Sequence, residues 1–382
     1  MKRYRIGVHF DMGISCDRDM LRGVEAYERA VDDWLITPFY CTMQDPVPDF
    51  RGMDGIIGRL HDTAWIEQAW QVTPHLVVLR SGLLPRKLAR VIADNYKAGC
   101  MAADYFLRRG FRHFVFYGHE HFVFSLERWR GFTDVLRHQG IECAFISDQD
   151  PVQLPVLLRS LPKPCAVLAD RDRSASHLCR LCRELEIMVP DELAILGVGN
   201  DTAICQTAPV PVSSVVMPDE RIGYEAARIL DGMLRHGGEV IEQVLPPVMI
   251  EERNSTDALG VSDPFIRKAV SYLKDNVHRH DSVERVSRDL HVTPRTLERR
   301  FRQGLGQSPL HVITRLRVEL AMQILRDRTL TMEWVAHHSG FGSALLMRRA
   351  FGKHAGITPS QFRASVHPMR EGIQGTNGSH SQ

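Results

Sequence analysis

Residues 282–309 read SVERVSRDLHVTPRTLERRFRQGLGQSP, and residues 331–359 read TMEWVAHHSGFGSALLMRRAFGKHAGITP. Arg299 and Arg349, Phe301 and Phe351, Gly306 and Gly356, and Pro309 and Pro359 correspond at an offset of 50. Val286 and Val335 correspond at 49, so the second copy holds one extra residue near its turn. An R-x-F…G-x-x-P frame kept in both copies marks one supersecondary unit used twice. Each copy reads as helix, turn, helix. Val283, Val286 and Leu290 have the spacing of one buried helical face. Thr293 is a good N-cap and Pro294 suits the first helical position, so a second helix starts there. Leu297 and Phe301 lie four apart and face inward. Arg295, Thr296, Arg299, Arg300 and Arg302 fall on the other faces.

A short helix with an arginine-rich face after a tight turn has the shape and charge to enter a major groove. The charge distribution agrees. Residues 261–370 hold 19 Lys and Arg against 9 Asp and Glu, a net of +10, while the rest of the chain is −8; the overall +2 hides this asymmetry. A basic tail on an acidic body is what phosphate neutralisation needs. A solvated helical pair without a ligand is the bland alternative, and the repeat, turn and charge together weigh against it.

From Pro264 to about Arg363 the sequence resembles the AraC-type DNA-binding domain, two helix-turn-helix units joined by a long helix. The frame Gly340, Phe341, Arg349, Phe351, Gly356, Thr358, Pro359 carries most of the resemblance. It implies a joining helix over Pro309–Leu325, with Leu310, Ile313, Leu316, Leu320 and Ile324 as its apolar stripe. It also implies DNA contacts by Arg295, Thr296, Arg299 and Arg300 in the first unit and Ser343, Leu345 and Arg348 in the second. The chain departs from the family in that second helix. Where polar and aromatic residues are common there, it has Ala344, Leu345, Leu346 and Met347. Met347 can replace an aromatic core residue. Ala344 and Leu345 offer little hydrogen bonding to bases, which leaves Arg348, apolar contact with thymine methyls, and phosphate contacts.

The 382 residues are too many for one ordinary domain, and 44% apolar content is ample for sizeable cores. No 18-residue apolar run occurs, so no membrane span is expected. The start, MKRYRIGVHF, reads as a strand and not as a signal peptide. Eight scattered cysteines imply reduced thiols and a cytoplasmic location. Cys179 and Cys182 form a CxxC without a second pair, so a metal or redox role is not indicated. His119 and His121 lack a spaced third ligand and read as structural or pocket-lining. No Gly-rich phosphate loop, G-x-S-x-G elbow or HExxH occurs, so neither an enzyme nor a cofactor is indicated.

From Arg5 to about Thr256, buried strands (Tyr4–Phe10, Gly55–Gly58, His75–Leu79, His113–Tyr117, Cys165–Ala169, Leu193–Val198) alternate with helical stretches such as Tyr96–Arg108 and Ser174–Leu185. That alternation predicts parallel sheet with helices on both faces. Ligands of such sheets bind beyond the carboxyl ends of the strands. The loops there carry Asp11, Asp17 and Arg18; Glu120, Ser125 and Arg128; Asp170, Arg171 and Asp172; and Asn200 and Asp201. Carboxylates accept from hydroxyl groups and guanidinium groups donate to them, which suits a hydroxyl-rich small molecule. Any one Asp at a strand end is more often a turn former or helix cap, so the expectation rests on the set.

DNYKAGCMAADYFLRRGFRHFVFYG (94–118), RWRGF (128–132), CAVLADRDRSA (165–175) and VPDELAILGVGND (189–201) run in the order of LacI-type effector cores. So do PVSSVVMPDERIGYEAARIL (211–230) and LPPVMIEERNST (245–256). The chain is similar to that family, itself like periplasmic sugar-binding proteins, over about 250 residues, without the family's N-terminal helix-turn-helix. The resemblance implies two lobes: residues 1–118 with 217–240, and 119–216 with 241–256. It implies Arg128 and Asp170 as pocket residues. The family's usual Asp is here Gly199, so Asn200 or Asp201 is expected to supply that contact.

The whole is expected to be an α/β two-lobed periplasmic-binding-protein-like (LacI-type) core over 1–256, a linker over 257–263, an all-α double helix-turn-helix domain over 264–368, and a disordered tail over 369–382. A LacI-like core ahead of an AraC-type domain resembles the xylose-type operon regulators. It implies a transcription regulator, foremost an activator, of a sugar-utilisation operon. Its partners would be double-stranded operator DNA, a small sugar (D-xylose or a related pentose), a second copy in a homodimer, and RNA polymerase if it activates. The effector set is Asp11, Asp17, Arg18, Arg128, Asp170, Arg171, Asn200 and Asp201. A sugar-binding protein of a transport or sensing system, without direct DNA readout, is the alternative. It shares the core, but the basic tail and the start of the chain weigh against it.

Overall fold

The computed structural model describes residues 3–40, 42, 45–60, 62–148, 152–237, 240–258, 260, 263–279 and 281–366. The tail expected over 369–382 and part of the expected linker lie outside these. In chain order come β1 (Tyr4–His9), α1 (Ser15–Val31), β2 (Trp34–Phe39), β3 (Gly55–Gly58), α2 (Thr63–Val72), β4 (Leu76–Val78) and β5 (Ala89–Ala93). Next are α3 (Asn95–Arg108), β6 (His113–Gly118), α4 (Val123–His138), β7 (Cys143–Ser147), α5 (Leu154–Ser160), β8 (Cys165–Ala169), α6 (Asp172–Glu184), β9 (Leu193–Val198), α7 (Thr202–Thr207) and β10 (Ser213–Val216). Then α8 (Asp219–His236), β11 (Glu242–Leu245) and β12 (Met249–Glu251) complete the α/β part. The rest is helical: α9 (Pro264–Asp275), α10 (Ser282–Asp289), α11 (Pro294–Leu305), α12 (Pro309–Ile324), α13 (Met332–His338), α14 (Ala344–Ala355) and α15 (Pro359–Val366).

Two six-stranded sheets form, ordered β11-β5-β4-β3-β1-β2 and β12-β10-β9-β8-β6-β7. Every pairing is parallel except β10 with β12. The chain crosses between sheets after β5, between β10 and α8, and between β11 and β12. This corrects the expected division, which put residues up to 118 in the first lobe and 241–256 in the second. β6 pairs with β7 and β8, and β11 pairs with β5. Helix α3 goes with β6, because Ala98, Ala102 and Phe106 bury against Phe114, Phe116 and Phe132. Periodicity is the same on both sides of a crossover, so it cannot tell which sheet a strand will join. The strands missed in the sequence are short or peripheral. β2 and β7 are sheet edges, and β2 carries Pro38, which an edge tolerates because one side of its backbone needs no partner.

Each lobe is fastened by a close helix crossing built on paired glycines. A Cβ on Gly23 of α1 would lie 1.9 Å from the Glu220 carbonyl oxygen, and one on Gly223 of α8 would lie 1.8 Å from that of Met20. In the second lobe a Cβ on Gly99 of α3 would lie 2.0 Å from the Arg128 oxygen, and one on Gly131 of α4 1.9 Å from the Tyr96 oxygen. The backbones touch at both crossings, and no other side chain fits.

The repeat is visible residue by residue. Thr293 and Ser343 cap α11 and α14, each hydroxyl accepting from the backbone N–H three residues on. Gly306 and Gly356 end the same helices in the left-handed region, at φ 68° and 71°. Pro309 and Pro359 begin the next helices, and Phe301 and Phe351 are fully buried. Two small cores result, one around Phe301 and one around Phe351. Helix α12 serves both, which corrects its expected stripe. Val312, Ile313 and Leu316 face the first core, Val318 and Ala321 face the second, and Leu310 is left 65% exposed. Met347 is buried as expected of a core substitute. The second core also receives Met249 of β12, with Val216 and Val248 packed beside it, so it is continuous with the edge of the second sheet.

Gly99→Ala is expected to lower stability by about 1–3 kcal/mol, since two helices must part. Gly232→Ala, where a Cβ meets nothing within 4 Å in mid-helix, is expected to be neutral or to stabilise by up to about 1 kcal/mol. Thermal unfolding of the two variants checks this; equal melting points would contradict the crossing geometry.

Candidate functional site

The carboxyl ends of β1, β3, β6 and β8 present charged side chains from both lobes. In the first lobe the chain turns sharply after β1. Asp11 accepts from the Gly13 N–H at 2.8 Å, and its own N–H donates to Asp17 Oδ2 at 2.9 Å. Asp17 is completely buried and ion-paired with Arg59, which follows β3. Arg18 donates to the Met12 carbonyl at 2.7 Å and so ties the loop to α1. Asp219, at the start of α8, is 7% exposed. Burial pushes its carboxyl up to about 7, and the Asp19 carboxylate adds to this while Arg59 and Arg128 oppose it. Burial also works against the charge of Arg59, but Cys16, Asp17 and Asp219 outweigh it and hold that guanidinium firmly protonated.

In the second lobe Asp170 is the centre. Its side chain is fully buried. It accepts from Ser174 Oγ at 2.7 Å and from the His119 N–H at 3.3 Å, and it lies 3.0 Å from His119 Nδ1. Asp148 meets the other ring nitrogen of His119. Arg171 brings its guanidinium to 2.6 Å from His119 Nε2, with Phe122 beneath it. Arg128 donates to the Asp170 carbonyl and, at 3.0 Å, to Asn95 Oδ1, and it lies over the Phe124 ring. Asn95 in turn donates to Glu127 at 3.0 Å and reaches Ser81 of the first lobe at 3.3 Å. The two clusters face each other. Arg128 feels Asp219 and Cys16, and Asp19 feels Asp201, all across the gap between lobes.

Of the expected effector residues, Arg128, Asp170 and Arg171 therefore come together in one lobe, and Asp11, Asp17 and Arg18 in the other. Asn200 and Asp201 are held in local structure. Asn200 takes a left-handed φ of 57° and accepts from Arg253 at 2.8 Å. Asp201 caps α7 through the N–H groups of Ala203 and Ile204. The departure at Gly199 has a structural reason. Its φ is +124°, and a Cβ there would meet Asp172 Oδ2 at 3.2 Å. Asp172, itself 3% exposed and bonded to Ser214 Oγ and the Asp201 N–H, fills the space beside it. Arg59, Asn95, Asp148 and Asp219 were missed in the sequence because no motif or spacing sets them apart from the other polar residues of their segments. Only the fold gathers them.

On the helical side, Arg295 and Arg299 are exposed along one line of α11. Thr296 is half-buried, its hydroxyl 3.0 Å from that of Thr293. Arg300 turns away, its guanidinium 4.5 Å over the Phe265 ring and 3.9 Å from Asp263. Its counterpart in the second unit is Ala350, which is 9% exposed, whereas the Arg300 side chain is 42% exposed. On α14, Ser343 is the cap, Leu345 is 56% exposed, and Arg348 and Arg349 are both exposed. Arg349 lies one turn beyond Leu345 on the same line, and the repeat pairs it with Arg299.

Other candidates resolve into structure. Cys179 and Cys182 are core residues of α6, their thiols pushed up to about 12 by burial. His121 is exposed. Among the described residues no group of three or more His, Cys, Asp or Glu side chains is placed to hold a metal ion, and no helix is long and apolar enough to cross a membrane.

Residues 103–256 match the family of periplasmic binding protein-like domains, and residues 286–365 match a helix-turn-helix domain family. The xylose operon regulatory protein of Escherichia coli (strain K12) is 27% identical over 389 residues, covering 95% of this chain and 97% of that protein. Its namesake from Haemophilus influenzae is 25% identical, covering 94% and 98%. A solved xylose-binding transcription activator aligns with a TM-score of 0.60 at 26% identity over 95% of this chain and 98% of its own. A LacI family transcriptional regulator from Enterococcus faecium shares the fold of the two-sheet part, with a TM-score of 0.56 over 66% of this chain and 98% of its own at 20% identity. With the two sheets, the facing charged clusters and the duplicated helical unit, these likenesses give the chain a LacI-like, periplasmic-binding-protein-like domain followed by an AraC-type helix-turn-helix domain, the arrangement of a DNA-binding transcription regulator.

Proposed function

We propose that the chain regulates a sugar-utilisation operon, and that a small sugar, D-xylose or a related pentose, binds between the two sheets and alters how the helix-turn-helix units engage operator DNA. The observation that carries the reading is the pair of facing clusters around Asp17 and Asp170. Buried carboxylates accept from sugar hydroxyls, guanidinium groups donate to sugar oxygens, and Phe122 and Phe124 give the apolar faces of a pyranose a surface. Asp11, Asp17, Arg18, Arg128, Asp170 and Arg171 form the effector set, joined by Arg59, His119 and Asp148, with Asn200 and Asp201 as supports. The relatives named for xylose support a pentose.

Binding to both lobes favours the state in which they are close. The crossovers at residues 217–218 and 246–248 bear that movement. Val248 and Met249 pack into the second helix-turn-helix core, and Glu251 of β12 is ion-paired with Arg326 beyond α12. A change in the crossovers therefore reaches the DNA-binding part directly. In a homodimer it would reset the spacing of two such parts on operator DNA. As an activator the dimer would also touch RNA polymerase. It works in the cytoplasm, where the DNA is, and binds the sugar without turning it over.

Calorimetric titration of the purified chain against D-xylose, L-arabinose and D-ribose should give a saturable site in the micromolar to low millimolar range, and Asp170→Asn, folded by thermal melt, should weaken it at least about tenfold. Absence of binding by every small sugar or polyol removes the effector part of the reading. Arg299→Ala should weaken operator binding by about 1–3 kcal/mol and flatten its salt dependence, with sugar affinity intact; unchanged operator affinity removes Arg299 from the interface. The cleft also sets a pH dependence. The Asp219 carboxyl, raised from 3.8 to about 7 on folding, favours the folded state while protonated, and that advantage is lost as pH rises from about 4 through 7. Asp219→Asn should thus raise the melting temperature at pH 8 and leave it nearly unchanged at pH 4.5. An equal shift at both would mean that this carboxyl titrates normally.

A further inference from the structure

The two recognition helices share their caps, their buried phenylalanine and their exit glycine, but not their outer surface. The N-caps Thr293 and Ser343 and the C-caps Gly306 and Gly356 set a residue-for-residue equivalence at an offset of 50. On that equivalence Leu345 stands where the first unit has Arg295, and Leu346 where it has Thr296. We infer that α14 reads thymine C5 methyl groups through Leu345 and Leu346, so that the duplex recognised is asymmetric: one part read by the guanidinium groups of α11, the other by methyl contact. The inference rests on the DNA-binding reading and deepens it by assigning the base chemistry of each unit.

Four observations carry it. Leu345 is 56% exposed and Leu346 50%, while Met347 beside them is 1% exposed. The helix thus has a filled core face and does not need these two leucines for it. They lie in its first turn, the part of a recognition helix that meets base edges in the major groove. Their surroundings are cationic. Arg348 and Arg349 are exposed, Lys353 follows, and α14 contains no acidic residue, whereas α11 carries Glu298 ion-paired with Arg302. A polyanion is the partner that such a rim attracts. Finally, leucine has no hydrogen-bonding side-chain atom. Of the base edges in the major groove only thymine carries a methyl group, at C5, so the complement of an exposed leucine pair there is a thymine-bearing step. Arg295 and Arg299 on α11 instead suit the paired acceptors of guanine.

The test works without an operator sequence in hand. Duplexes are selected from a random pool by the full-length protein, and the best one is resynthesised with uracil replacing thymine one position at a time, which removes a single methyl. Wild type should lose about three- to fivefold in affinity at one or two clustered positions, the effect of one buried methyl. The double variant Leu345→Ala/Leu346→Ala, folded by thermal melt, should bind the same duplex without distinguishing uracil from thymine there. Leu345→Arg should shift selection at that step toward guanine. If the selected duplex binds with normal salt sensitivity but no uracil substitution changes affinity, the inference is overturned and the DNA-binding reading stands. It is overturned too if the double variant keeps the discrimination and changes oligomeric state instead, which would place the leucines in a protein contact. If no duplex is enriched at all, the DNA-binding reading fails and this inference with it.

Discussion

Much of the molecule hangs on the burial of Met249. It belongs to β12, the one antiparallel strand of the second sheet, and its side chain enters the core of the second helix-turn-helix unit. Three residues earlier the chain leaves the first sheet. A strand only three residues long thus closes one sheet, ends a crossover and anchors the DNA-binding part. The next residue, Ile250, packs instead against the core of the second sheet, so neighbouring residues of one strand serve the two parts. Charge follows the same path. Glu251 pairs with Arg326, and Glu252, just beyond the strand, pairs with the buried Arg109. Glu319 of α12 feels that arginine as well. Unpaired, any of these would be costly to bury, so the ionic contacts fix the geometry that the apolar contact makes favourable.

The cleft obeys a different constraint. Two fully buried carboxylates, Asp17 and Asp170, sit at the ends of parallel strands, each satisfied by donors from its own lobe. Neither draws a hydrogen-bond donor from the opposite lobe. What crosses the gap is softer: the Asn95–Ser81 hydrogen bond and the field of Arg128 at Asp219. Burial at the start of α8 is what raises the Asp219 carboxyl, with the Asp19 carboxylate adding to it.

The helical part shows how a duplicated unit diverges. Selection of caps, exit glycines and buried phenylalanines is governed by backbone geometry and packing, which both copies share. The outer line of each recognition helix is governed by its partner alone. Arg300 illustrates the boundary. Its counterpart Ala350 is buried, whereas Arg300 stays part-exposed and lays its guanidinium over Phe265, so this arginine contributes to packing as well as to charge.

Local chemistry made much of this legible. The offset-50 repeat, the Thr293–Pro294 start and the Gly–x–x–Pro exits determined the two helical units, because caps and turns depend on a few neighbouring atoms. The alternation of buried strands and helices determined a parallel α/β part, and the loops after Phe10 and Ala169 pointed to Asp17 and Asp170. What tertiary structure decided was membership and direction: that β6 joins the second sheet and β11 the first, that α12 divides its apolar residues between two cores and leaves Leu310 outside, that Asn200 and Asp201 brace their own loop, and that Arg59, His119, Asp148 and Asp219 gather around the expected residues. Periodicity reports which face of an element is buried. It is silent on which distant element does the burying, and a cleft made by three crossovers exists only once those distant partners have been chosen.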